Sequence, residues 1–222
     1  QGSIRLKIVI LLIAIIILVI YQQFLLVRDK RTRHLMGHDE LTGVYNWEHL
    51  VQKAESLRKN DKPRYVIYSN ITEFKLINEL FGREKGNEIL KKQADQIRKY
   101  AGEGSLYGRA GEDHFVMLID QDKFHEEYLY ACSQELQNIL ADSVYNVRVT
   151  FGVYRADNHE ESLASMCDKA ILAIDSVKEN TQQTIAYYND AMLENALRWK
   201  KVVDEFGEAL KNGEFQMFLQ PQ

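Results

Sequence analysis

The chain has 222 residues, 45% of them hydrophobic and 27% charged, an ordinary globular balance that suffices for one domain with a real core plus appendages. Its formal net charge is -4, so no overall attraction to nucleic acid is built in, and no RNA- or DNA-binding motif stands out. Cys132 and Cys167 lie far apart, with no CxxC pair and no histidine at metal spacing, and by themselves indicate neither a disulfide framework nor a zinc site.

Residues 1–3, Gln1-Gly2-Ser3, look like the scar a cleaved tag leaves and stand outside the reading. Residues 4–27 predict a transmembrane helix. No strongly polar residue occurs from Ile8 to Tyr21, and only Gln22 and Gln23 intervene before Val27, which gives ~20 residues and about 30 Å of helix, enough to span a bilayer. Arg28, Lys30, Arg31 and Arg33 outnumber Arg5 and Lys7 on the other flank. That bias predicts a single-pass protein of the cytoplasmic membrane with the bulk of the chain in the cytoplasm. Residues 28–38 are basic and free of proline, and read either as a juxtamembrane linker helix or as a solvated stop-transfer flank.

Periodicity predicts a helix over Trp47–Lys59, a strand over Arg64–Ile71 and a helix over Ile77–Tyr100. Strands at Leu106–Arg109 and Phe115–Ile119 flank a polar turn, followed by a helix at Phe124–Leu140 and a strand at Val144–Tyr154. A helix at Leu163–Val177 and a strand near Thr184–Tyr188 complete the pattern. Helices alternate with strands but one strand pair is a tight hairpin, so the fold class is α/β (α+β), a mixed sheet with helices packed on it.

Asp39-Glu40-Leu41-Thr42-Gly43-Val44-Tyr45-Asn46 resembles the D-x-L-T-G-L-x-N that opens the GGDEF domain of diguanylate cyclases, with Trp47 in place of the usual Arg. Phe74-Lys75-Leu76-Ile77-Asn78-Glu79, with Gly82 and Gly86, resembles F-K-x-[VI]-N-[DE]-x-x-G-x-x-x-G-D, and Arg109-Ala110-Gly111-Glu112-Asp113-His114-Phe115 stands where R-Y-G-G-D-E-F belongs. Thr150-Phe151-Gly152 resembles the later S-x-G strand, and Asp168-Lys169-Ala170 the D-x-A of the final helix. The resemblance covers residues 39–190 and implies a cyclase-like fold with a central five-stranded sheet. It also implies an ancestral chemistry in which paired domains, each holding GTP and divalent cations (Mg2+), condense two GTP into cyclic di-GMP.

The metal positions fall on Asn70, Asp113 and His114, and the acidic residue expected two places after Asn70 is Thr72. Asn70 offers magnesium an oxygen but no charge, and the imidazole of His114 suits zinc or copper better than magnesium. Glu112 replaces a glycine where phosphates should pass. Asp113 is the remaining catalytic candidate, and reads equally as a residual ligand or as a solvated turn residue. The nucleotide-binding candidates are Asn78 and Asn87 for the base, with Asn87 in place of an aspartate, Lys75 near the base pocket, Gly111 in the signature turn, and Lys178 as a substitute for the phosphate-binding lysine. The ungapped phosphate position on the final helix is Asp175, and the R-x-x-D product-inhibition motif would span Gly102–Ser105 and is absent. Losses at metal and phosphate positions together predict a catalytically impaired domain, because phosphoryl transfer depends on positioned charge. The alternatives are a weakly active cyclase using Asp113, and a structural dimerisation spacer.

Residues 191–222 predict a linker helix, then Glu214-Phe215-Gln216-Met217-Phe218-Leu219-Gln220-Pro221, which resembles the first strand of an EAL phosphodiesterase domain. Glu208-Ala209-Leu210 lies before that strand and reads as a chance match. The partners so implied are a guanine nucleotide, a downstream EAL domain in cis, a second copy in a homodimer and the lipid bilayer.

Overall fold

The computed structural model describes residues 15–22, 37–57, 62–140, 145–157, 161–178, 180 and 182–215. The elements are β1 (Tyr45–Asn46), α1 (Trp47–Leu57), β2 (Arg64–Ile71), α2 (Phe74–Tyr100), β3 (Leu106–Gly111), β4 (His114–Asp120), α3 (Glu126–Gln137), β5 (Val149–Ala156), α4 (Leu163–Ser176), β6 (Ile185–Tyr187) and α5 (Asp190–Lys211).

The sheet has six strands in the order β1-β3-β4-β2-β5-β6, not the expected five. The outer pairs β1/β3 and β5/β6 are parallel and the inner ones antiparallel, which bears out the mixed sheet. The additional strand is β1, only two residues long. It docks because Gly108 opposite Tyr45 has no side chain: a Cβ there would stand 2.6 Å from the Tyr45 carbonyl oxygen.

Neighbouring residues of the central strands serve opposite faces of the sheet. Ile67 and Met117 join the core under α2 and α3, while Val66, Val116 and Leu118 join a second core under α1 and α4. Burial on both faces explains why β2 and β4 read as nearly continuous apolar runs. On β5, Phe151 and Val153 point to the first core, and Gly152 between them faces α4.

Helix α2 begins at Phe74 rather than Ile77, behind a left-handed Glu73 (φ 55°), and is kinked at Gly82 (φ 82°). The expected helix over Phe124–Leu140 is α3 flanked by 3-10 turns at Gln121–Lys123 and Asn138–Leu140. Residues 145–148 lie outside β5, so the strand predicted from Val144 starts at Val149.

Of the predicted membrane span, residues 15–22 are described, as exposed helix, and the rest lies outside the described residues. Among the described residues no helix is long and apolar enough to cross a membrane. Helix α5 has no buried residue, and Trp199, Val203, Phe206 and Leu210 are exposed. Residues 216–222, which would complete the expected EAL strand, lie outside the described residues.

Candidate functional site

A cleft of about 1140 Å³ opens at the end of β2, bounded by the β3–β4 turn, the start of α2, residues 145–148 and the end of α4. It brings together Asn70, Lys75, Asp113, His114 and Lys178 of the sequence candidates. Lys178 reaches it from the turn after α4, where its backbone N–H donates to the Asp175 carbonyl. Asn78, Asn87 and Gly111 are not among the residues lining this cleft. Asn78 lies against the backbone at Gly86, where an added Cβ would fall 2.0 Å from Asn78 Oδ1. Asn87 is exposed on the far side of the Gly82 kink.

Asp113 is not the solvated turn residue that its position allowed. It is 5% exposed, and its Oδ2 accepts the Ile71 backbone N–H at 2.8 Å, tying the hairpin turn to the end of β2. Burial raises its pKa, against the opposing pull of His114 and of that N–H. His114 stands against the Tyr68 ring, with centroids 5.4 Å apart. Its Nδ1 is buried and has no hydrogen-bond partner among the described residues. Glu112 is exposed and adopts a left-handed backbone (φ 38°), the conformation a glycine would take without strain.

The turn is held from outside by Arg109. Its guanidinium donates to the Glu112 carbonyl oxygen, at 2.9 Å through Nε, and to both carboxylate oxygens of Asp39 at 3.1 Å. Asp39 also accepts from the Thr42 N–H at 2.9 Å and the Thr42 hydroxyl at 2.6 Å. Burial pushes the Asp39 pKa up, but Thr42 and the Arg109 charge outweigh it and hold the carboxyl below its ordinary value. The opening motif and the signature arginine therefore form one structural clamp.

Arg148 lines the cleft too, its Nε 3.3 Å from Thr72 Oγ1, while Thr72 N–H donates to the Arg148 carbonyl at 2.8 Å. Sequence reasoning missed this cation, which sits just before β5 and in none of the quoted motifs. Tyr145, also missed, donates its hydroxyl to Glu73 at 3.1 Å.

The donor set does not fit a pair of magnesium ions. Asn70 and Thr72 are neutral, one Asp113 oxygen is engaged by a backbone N–H, and His114 presents nitrogen. Magnesium requires near-octahedral oxygen ligands and dehydrates reluctantly.

The family described as "Diguanylate cyclase, GGDEF domain" matches residues 36–184. The chain belongs to the GGDEF family. Over 199 residues it is 24% identical to the cyclic di-GMP phosphodiesterase NbdA of Pseudomonas aeruginosa, covering 85% of this chain and 25% of NbdA. Over 204 residues it is 21% identical to the bifunctional diguanylate cyclase/cyclic di-GMP phosphodiesterase MucR of the same organism, covering 87% of this chain and 30% of MucR. The chain thus spans under a third of the length of these relatives. Among solved structures it is similar to the coiled coil and GGDEF domain of DgcB from Caulobacter crescentus in complex with c-di-GMP, with TM-score 0.62 and 16% identity over 75% of this chain and 93% of that one. A diguanylate cyclase/phosphodiesterase from Caldicellulosiruptor saccharolyticus gives TM-score 0.57 at 19% identity, over 70% of this chain and 96% of that one. At such identities the structural likeness shows the GGDEF fold alone.

Proposed function

We propose that this GGDEF domain serves cyclic di-GMP signalling as a catalytically silent regulatory module, acting on a phosphodiesterase domain of EAL type in cis. One observation carries the reading: the motif residues the chain keeps hold the fold, and those it has replaced would do the chemistry. Asp39, Thr42 and Arg109 form the clamp under the signature turn, whereas the metal positions are Asn70 and His114. Asp113, the remaining carboxylate there, serves as a backbone acceptor. With neutral or nitrogen-bearing side chains where carboxylates would place two magnesium ions, the charge that grows on a transferring phosphoryl group lacks its preorganised partners, a loss worth several kcal/mol of transition-state stabilisation. The names of NbdA and MucR support a phosphodiesterase as the element regulated.

The expected result is that the protein forms no cyclic di-GMP from GTP with Mg2+ or Mn2+. Product that appears by chromatography and vanishes in Asp113→Ala would instead make the domain a weak cyclase. The cleft is nonetheless suited to holding a nucleotide, because the cations Lys75, Arg148 and Lys178 line it. GTP should therefore raise the melting temperature more than ATP does, since a ligand of the folded state alone stabilises it. No shift with either leaves a spacer that works through domain pairing in a homodimer.

The apolar run Ile8–Val27 and its basic flank support anchoring in the cytoplasmic membrane with the domain on the cytoplasmic side. Membrane fractionation tests this, with recovery in the detergent-free soluble fraction as the opposing outcome. Ile15→Arg should weaken insertion by about 2.5–3.5 kcal/mol.

A further inference from the structure

We infer that Glu112, Asp113 and His114 form a site for a divalent transition-metal ion of the zinc class, in place of magnesium. One ligating atom from each of the three lies within 4.8 Å of the others. Zinc bonds of about 2.0–2.2 Å place donors about 3.4 Å apart around the ion. Closing that difference falls to the exposed Glu112 side chain, whose rotamers are not restricted by packing.

The other two ligands are already fixed. Asp113 is held through Oδ2 by the Ile71 N–H, and the His114 ring by Tyr68. Arg109 anchors the Glu112 carbonyl and with it the turn that presents all three. Such outer contacts are what orient metal ligands in protein sites. A second observation points to a ligand: His114 Nδ1 is buried with no hydrogen-bond partner among the described residues. An orphaned buried acceptor or donor is costly, and coordination through that atom removes the cost.

The chemistry of the donors selects the ion. One imidazole nitrogen with two carboxylates is a borderline set that suits zinc, cobalt or nickel, whereas magnesium favours oxygen alone. Both departures from the family pattern act in this direction, since Glu112 adds a carboxylate where the pattern has glycine and His114 exchanges an oxygen donor for nitrogen. The cleft of about 1140 Å³ leaves room for water or an anionic ligand at the remaining coordination position.

The inference rests on the reading that the cleft no longer organises magnesium. The test uses the full chain, stripped with chelator and titrated with Zn2+ against a chromophoric chelator, and with Co2+ followed by its visible absorption. Wild type should hold about one equivalent of zinc that excess Mg2+ does not displace, and Glu112→Gly and His114→Ala should each weaken it about tenfold or more. Glu112→Gly decides the matter if His114→Ala folds poorly, because glycine accepts the left-handed backbone at this position. His38→Ala with His49→Ala, which alters a pair of rings 6.2 Å apart outside the cleft lining, should leave the site intact. Zinc retention unchanged in Glu112→Gly, or displacement by magnesium at equal concentration, overturns the inference. Cyclic di-GMP formed with Mg2+ would overturn the reading of a silent domain, whereas failure to bind zinc without such activity removes the zinc site alone.

Discussion

Gly152→Ala should destabilise the domain by about 3 kcal/mol or more, beyond the usual range for an added methyl group in a packed core. A Cβ at this position would lie 1.8 Å from the Ala170 carbonyl oxygen and 2.7 Å from its carbonyl carbon. Those atoms are helix backbone, so no rotamer change relieves the clash, and α4 must move off the sheet. Ile174 Cγ1, at 2.9 Å from the same point, would be displaced as well, and Ile174 lines the cleft. The S-x-G resemblance thus has a packing cause: the glycine lets α4 lie directly on β5, while Phe151 and Val153 fill the opposite core. Urea unfolding followed by far-ultraviolet circular dichroism checks it. A Gly152→Ala midpoint within error of wild type would mean that α4 sits farther from β5 than described.

The sequence disclosed those features that repeat. Strands β2 and β4 were readable because both faces of the sheet are buried, which leaves long apolar runs, and the hairpin was readable from the polar turn between β3 and β4. Strand β1 was not, because two residues carry no period and its pairing depends on the missing side chain of Gly108 across the sheet. The start of α2 was misplaced because Glu73 makes no side-chain cap, so the usual signal of a helix N-terminus is absent. At the site, the motif positions located Asn70, Lys75, Asp113, His114 and Asp175 in one cleft, since motif order fixes which strand ends converge, and Lys178 joins them from just outside the motif register. Whether Asp113 would be solvated was not legible, because its burial depends on the Ile71 N–H, 42 residues away in the chain. Arg148 enters the cleft from an irregular segment held to Thr72 across 76 residues, a contact that no local pattern announces.

Breaking the clamp should be nearly as costly as filling the space at Gly152, and its cost should depend on pH. Side chains of Arg109 and Asp39 are 14% and 22% exposed, so little solvent screens the pair. Hydrogen bonds to charged groups contribute about 1.5–3 kcal/mol, and the stranded partner adds a penalty. Arg109→Ala should therefore destabilise by about 3 kcal/mol and exceed Asp39→Ala, because Arg109 alone also holds the Glu112 carbonyl. The double variant should cost less than the sum of the two, with a coupling of about 1–3 kcal/mol. Because the folded pKa of Asp39 lies below the unfolded value of 3.8, its contribution is present in full above that value and is lost as pH falls through the folded pKa. The stability difference between wild type and Asp39→Ala should accordingly stay level from neutral pH down to about 5 and shrink below about 4. Denaturant melts of the four proteins across that range measure it. A difference that grew on acidification would show that Asp39 is held protonated, and additivity of the two substitutions would show that the guanidinium and the carboxylate do not act as a unit.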